Sequence, residues 1–81
     1  MSEKKMRKLK TRGERIYKKL LRRLLSKYKG QIVAIEPETG RYFVGRDELK
    51  VALKAMKAFP GKIFSVFRVG YPAVHKFRKF S

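Results

Sequence analysis

A β-strand sends alternate side chains to opposite faces of its sheet. In KIFSVFRV (62–69) both sets are apolar: Ile63, Phe67 and Val69 flank Ser65 on one side, while Phe64 and Val66 precede Arg68 on the other. QIVAIE (31–36) repeats the pattern, with Ile32 and Ala34 opposite Val33 and Ile35. A sheet that is greasy on both faces needs two covers. An 81-residue chain is one small domain, so any internal cover must come from its own helices. The alternative is a face left open, as an RNA stacking platform or a homodimer contact.

Two segments have the periodicity of such covers. Ile16, Leu20, Leu24 and Tyr28 recur at i+4, with Tyr17, Leu21 and Leu25 beside them, and all seven fall in one half of a helical wheel. The other half holds Arg12, Arg15, Lys18, Lys19, Arg22, Arg23, Ser26 and Lys27. This predicts a basic amphipathic helix over 12–29, closed by Gly30. Residues 1–11 read as a basic N-terminal tail or fraying helical extension, since only Met1, Met6 and Leu9 are large and apolar. A second helix is predicted to start at Asp47 as N-cap, with an apolar stripe of Leu49, Ala52, Leu53, Met56 and Phe59, and to end at Pro60-Gly61.

Between the helices, PETG (37–40) joins two β-rich runs into a hairpin over 31–45. The resulting order is an N-terminal helix followed by ββαβ, an α+β domain covering 12–81. A right-handed crossover makes the second and third strands parallel, giving a mainly antiparallel sheet ordered 2-1-3 with helices packed on it. The end, AVHKFRKF (73–80), reads as a short fourth strand or an ordered tail, and 74–81 as a basic-aromatic terminus.

Charge is the abnormal quantity. The formal net charge is +17, and residues 1–30 hold 13 Lys and Arg against Glu3 and Glu14. Such self-repulsion disfavours a compact free state unless something anionic lies close to the surface in use. A helix face selected for stability alone would mix signs to gain i,i+4 pairs, and this face does not. An anionic membrane surface is a second possible counterpart, but the apolar stripe has no Trp and a folded neighbour can bury it. Nucleic acid is the expected partner, with RNA first.

Arg12, Arg15, Lys18, Lys19, Arg22, Arg23 and Lys27 are the expected phosphate contacts on the helix. In HKFRKF (75–80), Lys76, Phe77, Arg78 and Lys79 interleave charge with rings, as suits phosphate contact with base stacking, and Phe77 with Arg78 is the expected stacking pair. Basic extensions around a small core are also a habit of ribosomal proteins, which makes a ribosome-associated role an expectation from composition.

Catalysis is not expected. The chain has no Cys, so thiolate nucleophiles, disulfides and cysteine zinc sites are excluded. His75 is the single histidine and reads as a surface or edge residue. Glu36 and Glu38 flank a turn, Asp47 and Glu48 start a helix, and those local roles account for them. The glycines form no phosphate-binding signature, and no cofactor or metal is expected. No apolar run reaches the ~18 residues of a membrane span, and MSEKKMRKLKTRGER lacks the apolar region of a secretory signal, so the expected location is cytoplasmic. With no Asn and Gln31 as the single Gln, the composition leans towards that of heat-stable proteins.

The core KYKGQIVAIEPETGRYFVG…FPGKIFSVFRVGYP resembles small prokaryotic proteins of unknown function with a ββαβ core. The shared features are Tyr28 and Gly30, the Val33-Ala34-Ile35 strand, Gly40 and Gly45 in the hairpin region, and Arg68-Val69-Gly70 closing the last strand. The resemblance spans about residues 27–75 and implies a fold, not an activity, so it carries over no functional residue. Some members look like small partners encoded beside a second short gene. That would imply an antitoxin-like or adaptor module that dimerises or binds a partner through an apolar sheet face, although the cationic excess departs from such a role.

Overall fold

The structure, a computed structural model, describes residues 3–80, and among these every side chain but those of residues 72–75. Its elements are α1 (Glu3–Tyr28), β1 (Ile32–Ile35), β2 (Tyr42–Gly45), α2 (Glu48–Ala58), β3 (Ile63–Arg68) and β4 (Tyr71–Lys79). The four strands form one antiparallel sheet in the order β2-β1-β3-β4. The expected 2-1-3 arrangement is its first part: Val33 faces Val44 on one side and Phe67 on the other. The C-terminal end is a strand, paired with β3 from Ile63–Lys79 to Phe67–His75, with a register shift between Phe67 and Arg68.

The sheet lies between the two helices. On one face Ile32, Ala34, Phe64 and Val66 pack with Val51 and Ala55 of α2 and with Phe80. On the other, Val33, Ile35, Phe67 and Val69 pack with Tyr17 and Leu24 of α1. An open sheet face, as RNA platform or dimer contact, is therefore not what this chain adopts. At about 1.5 Å per residue, α1 runs about 38 Å, more than enough to cross four strands spaced about 4.8 Å apart. Burial of side chains such as Leu24, which is 1 % exposed, stabilises this layer by about 2 kcal/mol each.

Of the two readings for residues 1–11, a tail or a helical extension, the structure has the helix: Glu3–Thr11 belong to α1, and the expected start at Arg12 is corrected. Leu9, Gly13 and Tyr17, one turn apart, are all buried and carry the docking line two turns further than the apolar pattern indicated. Gly13 is the point of closest approach. A Cβ built there would collide with Ser65 Oγ, so only glycine lets the helix axis come this near β3. At the other end Gly30 takes φ 84°, its N–H donates to Val69 O at 2.9 Å, and Gln31 O accepts from Val69 N at 2.8 Å. These bonds tie the exit of α1 to the end of β3.

The hairpin turn is built around Glu36, which is 1 % exposed. Its Oε2 accepts from Thr39 N at 2.5 Å and Thr39 Oγ1 at 2.7 Å, and Gly40 N donates back to Glu36 O. Asp47 caps α2 as expected, Oδ1 accepting from Leu49 N at 3.0 Å.

The apolar stripe of α2 needs a second correction. The line facing the sheet is Val51 and Ala55, with Ala52, Met56 and Phe59 beside it, whereas Leu49 and Leu53 are 66 % and 52 % exposed. At about 100° per residue the apolar residues of α2 occupy an arc of about 200°, wider than one sheet face can cover. The Leu49 side of that arc is left over.

Candidate nucleic-acid interface

The face of α1 turned away from the sheet is a row of cations. Arg15, Lys18, Lys19 and Arg22 lie at its centre, all exposed, with Arg12 and Arg23 along one margin. Lys4 and Lys8 extend the row by two turns. Sequence reasoning missed these two because residues 1–11 hold few large apolar residues and were not assigned to the helix, although the i+4 spacing of Lys4, Lys8 and Arg12 leads into the row. Lys27 is exposed but points away from the row, in the last turn, where a cation complements the helix dipole.

The row carries almost nothing able to read a base edge by neutral hydrogen bonding. Its hydroxyls are turned into the helix: Thr11 Oγ1 donates to Arg7 O and Ser26 Oγ to Arg23 O, both at 3.0 Å. Nor does it offer a ring. Tyr17 is stacked on Phe67, 4.0 Å between centroids and 1° between planes, while Tyr28 is half-buried against the core. What remains is extended positive charge, whose chemistry is attraction to phosphate.

Apart from Glu3 and Glu14 on α1, the acids lie elsewhere. Glu38 Oε2 meets Lys62 Nζ at 2.9 Å. The Lys62 ammonium, by hydrogen bond and charge, holds the Glu38 carboxyl below its ordinary range, with smaller contributions from Lys5 and Arg12. Glu38 in turn raises Lys62. Glu48 meets Lys76 at 3.3 Å and Arg78 at 3.9 Å. Asp47 and Glu36 are taken by the cap and the turn. Among the described residues, no carboxylate lies within 4 Å of Arg15, Lys18, Lys19 or Arg22.

The C-terminal candidates do not join this row. Lys76 and Arg78 pair with Val66 and Phe64, which puts them on the α2 side of the sheet, consistent with their contacts to Glu48. Phe77 pairs with Ser65 on the α1 side and is half-buried, while Lys79 is exposed. Phe77 and Arg78 thus point to opposite faces, as strand neighbours must, and do not form the expected stacking pair. The Arg78 guanidinium lies 5.7 Å from the Phe80 ring centroid instead. The expectation for His75 concerns a side chain outside the described residues.

No protein-family model, curated protein or solved structure matches the chain. Among the described residues there is no cluster of three or more potential metal ligands, and no helix is long and apolar enough to cross a membrane.

Proposed function

We propose that this protein binds RNA without catalysis, through the outward face of α1, and that it reads backbone shape and charge more than base sequence. The observation that carries the reading is the exposed row Arg15, Lys18, Lys19 and Arg22, without carboxylate partners among the described residues, in a chain whose net charge is +17. A face with no exposed ring and no outward hydroxyl suits phosphates held in a fixed arrangement, as in duplex or folded RNA, better than splayed single-stranded bases. Ribosomal RNA is the folded RNA that the composition favours.

The test is fluorescence anisotropy with a labelled RNA hairpin, a single-stranded RNA of equal length and a DNA duplex, between 50 and 200 mM salt. With six to eight phosphates neutralised, affinity for the hairpin falls by roughly 10³–10⁴ over that range. Replacing Arg15, Lys19 or Arg22 by Gln lowers the salt slope by about one each. Affinity that ignores salt, or that survives the triple variant, removes the proposal.

A further inference from the structure

The unused apolar arc of α2 opens onto a free strand edge. Leu49 and Leu53, one turn apart and both more than half exposed, form with Ala52 and Met56 one wall of a groove of about 380 Å³. Arg78, Lys79 and Phe80, at the end of β4, form the other wall. Because β4 is last in the sheet order, its backbone groups facing away from β3 have no strand partner among the described residues. A long edge beside uncovered leucines is a combination that chains ordinarily blunt or pair.

We propose that this groove docks an extended, acidic segment of a partner protein, which adds a fifth strand along β4 and places aliphatic side chains against Leu49 and Leu53. Strand addition supplies main-chain hydrogen bonds for affinity, while pockets for alternate side chains supply selectivity. The rim fixes the sign of the partner. Arg78 and Lys79 line the groove, Lys76 adjoins it, and Lys50, Lys54 and Lys57 are exposed on α2. The acid in the lining, Glu48, is already claimed by Lys76 and Arg78. A second copy of the chain would bring another net +17 to the same edge, so like-charge repulsion opposes a symmetric β4–β4 dimer. This inference does not rest on RNA binding, since the groove and the row on α1 lie on opposite sides of the sheet.

The experiment is an NMR titration of the full chain, labelled at amides and Leu methyls, with a capped peptide of alternating valine and glutamate. Peptides with lysine or serine in place of glutamate serve as controls, and a single-stranded RNA is titrated separately. The glutamate peptide is expected to shift the Leu49 and Leu53 methyls and to slow amide exchange along β4. The Leu49→Gln, Leu53→Gln double variant should weaken that peptide at least tenfold with an unchanged melting temperature, because both side chains lie outside the core. Shifts confined to α1, equal binding of the serine peptide, or unchanged affinity in the double variant each overturn the proposal. So does RNA that moves the Leu49 and Leu53 methyls, or a dimer in sedimentation that the double variant dissolves.

Discussion

Tyr17 and Phe67 lie ring on ring, and the same tyrosine hydroxyl joins two backbone groups around the end of β3. It accepts from Gly70 N at 3.2 Å and reaches Arg68 O at 3.4 Å. One side chain of α1 thus fixes both the distance of the helix from the sheet and the turn into β4, where Gly70 has φ 86°. Tyr17→Phe keeps the stack and removes the acceptor of the part-buried bond from Gly70 N–H. Urea unfolding should show a loss of about 1–2 kcal/mol for Phe, and more for Tyr17→Ala.

Gly13→Ala is expected to destabilise, against its intrinsic preference. In an exposed helix the change gains about 1 kcal/mol. Here the new Cβ meets Ser65 Oγ, and overpacking of this kind costs about 1–3 kcal/mol. Combined with Ser65→Gly, which vacates the space, the alanine should recover most of its loss. A double-mutant cycle with coupling near zero would mean that the helix shifts without cost.

Much of this architecture was legible locally. The amphipathic face of α1, the Pro37–Gly40 turn and the Asp47 cap each depend on residues close in sequence, and the two-sided strands demanded two covers. What escaped the sequence depended on distant partners. Leu9 is a lone leucine among lysines until the hairpin turn at Glu38 comes beside it, and nothing local marks Gly13 as the place where Ser65 approaches. The inner line of α2 was misjudged because Leu49 and Leu53 outweigh Val51 and Ala55 in hydrophobicity, whereas fit against the sheet favours the smaller side chains. In the candidate site, the row on α1 was readable apart from Lys4 and Lys8. The engagement of Lys76 and Arg78 by Glu48 was not, since those residues are about 30 apart in the chain.

That engagement separates the two basic ends by experiment. Lys76→Gln and Arg78→Gln should weaken binding of a labelled RNA hairpin several-fold less than Lys19→Gln or Arg22→Gln, because Glu48 already offsets the first pair. Equal losses would mean that the RNA wraps round the β4 edge as well.

The Glu38–Lys62 pair gives stability two shallow pH limbs. Glu38 titrates below its ordinary 4.5 in the fold, so its contribution is complete above about pH 4.5 and is lost as pH falls through the depressed value. Lys62 titrates above 10.5, so its contribution is complete below that value and is lost as pH rises through the elevated one. Both groups face solvent, which keeps the effect small. Lys62→Met should flatten both limbs in melting curves taken from pH 3 to 12, and unchanged limbs would assign them to other groups.

Along its length of about 38 Å, α1 carries 12 Lys and Arg against two Glu, about one net positive charge per 4 Å. A nucleic-acid strand carries one negative charge per about 3.4 Å. The helix is thus a polyelectrolyte in its own right, and in solution it gathers a sheath of small anions just as a phosphate backbone gathers cations. Any polyanion that lies along it must strip that sheath, so ions are released from both partners. Exchanging chloride for a less readily condensed anion at constant cation concentration would then change affinity, with the sequence of neither molecule altered.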